Sequence, residues 1–168
     1  MSLVAGRTFA DVVPMPSAAL PDDLLITRIA FGSCAKTDKP QAVFDEILRQ
    51  DPNVFLMIGD NVYAEDESAD PALQSLSQAY RRLADSAPFQ RLREAVPLMV
   101  TWDDHDYGLN DAGGDWPGRF ASERLFLDAW AVAPGDVRRK RDGVYFSKTV
   151  GVPGRQVQFI VLDTRFFR

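Results

Sequence analysis

Val54-Phe55-Leu56-Met57-Ile58 is a continuous apolar run, too short for a helix and without the alternation of a half-exposed strand. Runs of this kind suit strands buried on both faces of a sheet. Arg28-Ile29-Ala30-Phe31-Gly32, ahead of it, and Leu98-Met99-Val100-Thr101-Trp102, opened by Pro97, read as buried strands too. Between the runs the apolar spacing becomes helical. Pro40 suits a first helical position with Asp38 or Lys39 as cap, and Val43, Phe44, Ile47 and Leu48 follow at helical spacing, predicting a helix over 40–50. Leu73, Leu76, Tyr80 and Leu83 form a second stripe over 71–95, interrupted at Pro88 and continued by Phe89, Leu92 and Val96. Residues 118–132 look helical again, and 144–150 and 156–162 read as strands. Strand–helix–strand–helix–strand order implies an α/β layered sheet with crossover helices.

The residues before this pattern, 1–26, carry Pro14, Pro16 and Pro21 among small side chains and read as an irregular lead-in rather than packed structure. The remaining 27–168 is one domain's worth of chain. Apolar residues at 46% and charged residues at 26% give the balance of a globular protein. No stretch approaches the roughly 18 apolar residues of a membrane span, so no membrane partner is expected. The first residues lack the organisation of a secretory signal, which leaves the compartment open. With 19 basic against 24 acidic residues, net −5, the chain lacks the basic face of a nucleic-acid binder. Nucleic acid is expected at most as a substrate. The one basic run, Arg138-Arg139-Lys140-Arg141, reads as a solvated turn.

Each apolar run ends in side chains that can hold a metal or a proton. The first ends in Gly32-Ser33-Cys34, the second in Gly59-Asp60-Asn61-Val62-Tyr63, the third in Trp102-Asp103-Asp104-His105-Asp106, and the last in Asp163-Thr164-Arg165. In open α/β sheets ligands sit beyond the carboxyl ends of the strands. Were the strands parallel neighbours, Cys34, Asp60, Tyr63 and the Asp104/His105 pair would converge. Clustered carboxylates there repel by several kcal/mol at about 4 Å unless a cation intervenes. A multivalent metal reverses that sign and supplies what ester hydrolysis needs.

Every one of these residues also has a plainer reading. Gly-Asp after a strand is often a turn, Tyr63 a half-buried aromatic, and Cys34, the lone cysteine, a small packing residue. His105 is the chain's one histidine, and its flanking aspartates favour a functional role over a structural one.

Four segments in order, Phe31-Gly32-Ser33-Cys34, Gly59-Asp60-Asn61-Val62-Tyr63-Ala64, Thr101-Trp102-Asp103-Asp104-His105-Asp106-Tyr107-Gly108 with Asn110-Asp111, and Leu162-Asp163-Thr164-Arg165, resemble the PhoD-like (alkaline phosphatase D) phosphatases. These belong to the metallophosphoesterases, and the resemblance covers 27–168. It implies a metallophosphoesterase-like α/β/β/α sandwich and hydrolysis of phosphate monoesters or diesters by a metal-bound hydroxide. It also implies that Cys34, Asp60 and Tyr63 hold a ferric iron, with Asp60 bridging to a second divalent metal, often calcium in the family. Asp104 stands where the wider group has the Asn of a Gly-Asn-His motif and is the candidate ligand of that second metal, a role for which Asn110 competes. The resemblance places His105 beside the leaving group as proton donor, with Asn61 as a further catalytic candidate.

Later carboxylate and histidine ligands of the family have no counterpart here, since His105 is the sole histidine and the sequence stops at Arg168. The expectation is the N-terminal portion of a catalytic domain, an incomplete sandwich from a truncated product or fragment. Family members are often exported. An unpaired sheet edge in such a piece invites a homo-oligomer. Two rival readings follow: a non-catalytic remnant of the same fold, and a thiol hydrolase using Cys34 with His105.

Overall fold

The apolar run at 54–58 is the middle strand of a parallel sheet, and the direction of its side chains sets the layers. The computed structural model describes residues 12–64 and 73–168. Its elements in order are β1 (Ile29–Gly32), α1 (Val43–Arg49), β2 (Val54–Ile58), α2 (Gln74–Asp85), α3 (Ala87–Ala95), β3 (Leu98–Thr101), α4 (Asp104–Tyr107), α5 (Arg119–Ala129), β4 (Phe146–Val150) and β5 (Val157–Val161). The strands β1, β2 and β3 lie side by side in that order, both pairs parallel, with Phe31 opposite Leu56 and Met57 opposite Val100. β4 and β5 form a separate antiparallel pair.

Successive side chains of a strand point to opposite faces. Phe55 and Met57 therefore enter one core, shared with Phe44 of α1, the Leu76-Tyr80-Leu83 stripe of α2, Phe89 and Leu92 of α3, and Leu125 and Phe126 of α5. Val54 and Leu56 enter a second core with Met99, Val150 and Phe159, which seals the parallel sheet against β4 and β5. The described residues thus stack as helices, parallel sheet and antiparallel pair, an α/β fold. Bonds between loops tie the two sheets at their ends. Thr101 Oγ1 donates to the Leu162 carbonyl at 2.7 Å and Thr164 Oγ1 to the Trp102 carbonyl at 2.9 Å.

Several local expectations need correction. β1 is not buried: it is an edge strand, and Ile29 and Phe31 stand 43% and 71% exposed. Helix α1 starts at Val43, and its N-cap Ala42 offers no side-chain acceptor, so neither Asp38 nor Lys39 caps it. Pro40 lies instead in a turn closed by Gln41, whose Nε2 donates to the Lys36 and Lys39 carbonyls at 2.6 and 3.0 Å. Pro88 does not interrupt a helix but sits in the first turn of α3, the break falling at the extended Ser86. Residues 71 and 72 of the expected helix lie outside the described residues.

The lead-in is irregular as far as it is described, yet it is packed. Met15 is 1% exposed and donates its N–H to the Ala129 carbonyl, while Leu20, Leu24 and Ile26 line the second core. Nor is the basic run freely solvated. Arg138 is paired with Asp136 at 2.8 Å, and Arg139 reaches Asp128 at 2.8 Å and two backbone carbonyls. Those cations fasten the turn after α5.

Gly59 sets how closely β2 meets β3 at their ends. Its φ is +114°, and an added Cβ would lie 2.7 Å from Asp103 Cβ, a contact that forces backbone apart.

Candidate metal centre

Parallel order brings the carboxyl ends of β1, β2 and β3 to one side of the sheet, and the chain turns sharply there. Cys34 and Asp60 both have left-handed backbones, φ 61° and 51°. Such conformations in residues other than glycine concentrate where a side chain must be aimed. The two turns are joined, since Cys34 N–H donates to the Gly59 carbonyl and Ala35 N–H to the Asp60 carbonyl, at 3.3 and 2.9 Å.

Asp60 Oδ2 is the hub of the side chains that follow. Tyr63 Oη donates to it at 2.8 Å, and Cys34 Sγ lies 3.8 Å away. Burial, and after it the bond to Asp60, pushes the Tyr63 phenol well above its usual range, so it keeps its proton and donates. Asp60 Oδ1 is buried with no hydrogen-bond partner among the described residues. One ligand atom each from Asp60, Asp104 and His105 fall within 4.8 Å of one another. The His105 ring stacks on Tyr63, centroids 4.3 Å apart, and Lys36 Nζ stands 4.9 Å from the Tyr63 centroid. Cys34, Asp60, Tyr63, Asp104 and His105 are thereby brought together.

The other expected residues sit differently. Asn61 is fully buried: its N–H donates to Asp106 Oδ1 at 2.7 Å and its Nδ2 to the Thr101 carbonyl at 2.8 Å. It braces β2 against β3, while its Oδ1 is buried without a hydrogen-bond partner among the described residues. Asn110 is exposed, and its amide donates to Asp111 Oδ2 at 3.2 Å.

Around this cluster the acidic loop is held by donors that the sequence did not single out. Asp104, 8% exposed, accepts from the Asp111 N–H at 2.9 Å. Burial raises its carboxyl, but that N–H and the charge of Arg165 outweigh the effect and hold it below its ordinary value. Arg165, 9% exposed, bonds Asp103 through Nε and lies 3.8 Å from Asp104 and 3.9 Å from Asp111. It is the buried cation of the acidic loop, with the exposed Arg168 also 3.9 Å from Asp111, and the sequence signal for it is its place in the Leu-Asp-Thr-Arg segment. Asp106 is buried and accepts from the N–H groups of Asn61 and Asp103; burial pushes its carboxyl up to about 7 against their pull.

Asp163, grouped by sequence with the ligand-bearing strand ends, is spent on architecture. Its Oδ1 accepts from Trp102 Nε1 and from the N–H groups of Arg165 and Phe166, and its Oδ2 from Val144, all at 2.8–2.9 Å.

The donor set fits a cation. Sulfur and phenol oxygen lie on Asp60 Oδ2, Asp104 and His105 lie within reach of the same carboxylate, and Asp60 Oδ1 is buried with no proton donor among the described residues, the kind of atom that demands an explanation. No family model and no curated protein matches the chain by sequence. In three dimensions the chain is similar to the solved structure of PhoD, with a TM-score of 0.66 at 19% identity, over 92% of this chain and 34% of that one. The chain spans about a third of the length of the PhoD chain. This chain has the α/β fold of part of PhoD.

Proposed function

We propose that the strand-end cluster is the centre of a metal-dependent phosphoesterase acting on phosphate monoesters or diesters. The observation that carries this reading is Asp60, whose Oδ2 gathers Cys34 and Tyr63 while its buried Oδ1 meets no donor among the described residues. Cys34, Asp60 and Tyr63 would hold the first cation. Once a cation had displaced the proton that Tyr63 shares with Asp60, a thiolate and phenolate pair would suit ferric iron better than a labile divalent ion. Asp60 and Asp104, with Asn110 as the competing ligand, would hold a second, divalent ion such as calcium. When bound, such ions supply Lewis acidity at a phosphoryl oxygen and acidify a water toward neutrality.

The chain's own groups do the rest. His105, stacked on Tyr63, donates a proton to the departing ester oxygen or stabilises charge growing there. Arg165 holds Asp103 and Asp104 so that the acidic loop does not spring apart. Asn61 acts as a positioning residue, bracing the Asp60 turn on the end of β3.

The test combines elemental analysis of the purified chain with hydrolysis of p-nitrophenyl phosphate and bis-p-nitrophenyl phosphate. Iron should be present, with turnover that chelation removes and Asp60→Ala abolishes. Turnover untouched by Asp60→Ala would sink the assignment. Inactivation by thiol alkylation with no effect of chelators would favour a Cys34 nucleophile instead.

A further inference from the structure

Next to the centre is a hollow of about 390 Å³. Val43, Phe44 and Ile47 of α1 and Phe55 and Met57 of β2 supply apolar walls, and the Ser33-Cys34 turn joins it to the centre. Lys36 and Lys39 also line it, and Lys36 is the same side chain whose ammonium stands over Tyr63. The hollow and the centre therefore share both a turn and a cation.

A second observation concerns Gln41, another lining residue. Its Nε2 is committed to the Lys36 and Lys39 carbonyls, which fixes the orientation of the amide. Its Oε1 is buried with no hydrogen-bond partner among the described residues. That oxygen is closed to the hollow as well as to water, so Gln41 holds the wall in place rather than offering it an acceptor.

We propose that this hollow receives the apolar organic group of the phosphate ester, of about the size of one aromatic ring, while the phosphoryl end lies at the Cys34–Asp60 centre. This inference rests on the hydrolase reading above. The volume is at the small end of the roughly 300–1,000 Å³ of ligand pockets, which favours a single ring over a multi-ring nucleoside. The apolar walls reward burial of a ring, and the lysines favour an anion over a neutral analogue. The preferred substrates are accordingly monoesters or diesters of aryl or similar compact apolar alcohols.

The test is calorimetric titration of the metal-restored chain with phenylphosphonate and with methylphosphonate, which share a head group and differ in the ring. Phenylphosphonate should bind about 10-fold or more tightly. Val43 is 57% exposed, so Val43→Trp fills the hollow without entering the core, and it should bring the affinity ratio near one. Val43→Ala should keep the preference. Equal affinities in the unsubstituted chain, or a ratio that survives Val43→Trp, would overturn the inference while leaving the phosphoesterase reading intact. Absence of binding by both phosphonates would overturn both.

Discussion

β2 and β5 are each followed, two residues on, by an aspartate, and the two carboxylates have opposite surroundings. Asp163 takes four N–H donors on its two oxygens, one from Trp102 and three from backbone. Among the described residues Asp60 takes only a phenol and a thiol, both on one oxygen, and its other oxygen is buried without a partner. A carboxylate saturated by N–H groups has its charge distributed into the fold and nothing left to offer. One surrounded by other ligand-type groups is held at a cost that a cation would offset. The donors around an acid, more than its position at a strand end, separate architecture from chemistry.

The sharpest attempt to break this contrast is Asp60→Asn, which keeps shape and tolerates the left-handed backbone. Hydrolysis and bound metal should be lost, with turnover falling on the order of 10³-fold, while stability moves by less than about 1 kcal/mol. A large loss of stability would put Asp60 in the same class as Asp163. The reciprocal change, Asp163→Ala, should destabilise by about 3 kcal/mol, because it strands the Trp102 indole and three N–H groups. Urea denaturation reads this directly.

A third test uses a buried acid on α5. Burial pushes Glu123 up to about 7 from an ordinary value of 4.5, against the Gly143 N–H that it accepts. Between about pH 4.5 and 7 the folded chain keeps a proton that the unfolded chain has released, so stability must fall as pH rises through that window. Glu123→Gln should remove about 2 kcal/mol of this decline, seen as a flatter denaturation midpoint from pH 5 to 8 in the metal-free chain. The smallest effect belongs to Thr164→Val, which deletes the bond to the Trp102 carbonyl and a longer contact with Asp103, and should cost about 1 kcal/mol with no change in bound metal.

Much of the fold was legible because periodicity is local. The 54–58 run, the Leu76-Tyr80-Leu83 stripe and the paired strands near the end each record, within a few residues, which face meets a core. What was illegible depends on partners far along the chain. Nothing in Ile29-Ala30-Phe31 says that the outer side of β1 carries no second layer among the described residues, nor do Pro14 and Pro16 reveal that Met15 lies against α5. The site divides in the same way. Cys34, Asp60, Tyr63, Asp104 and His105 follow apolar runs and were singled out for that reason. The saturation of Asp163 needs Trp102, 61 residues earlier, and the grip of Arg165 on Asp103 spans 62. Neither is a pattern of spacing.

Gly59 brings no side chain to the cluster, yet it governs the bite. Because a methyl group at that position would collide with Asp103, the gap between the Asp60 turn and the acidic loop is as narrow as two backbones allow. Enlarging residue 59 would act like a shim driven between two jaws, spoiling their grip while each jaw stayed well made. A survey scoring only lost activity would rank this glycine with the ligands, although its side-chain contribution is the space it declines to fill.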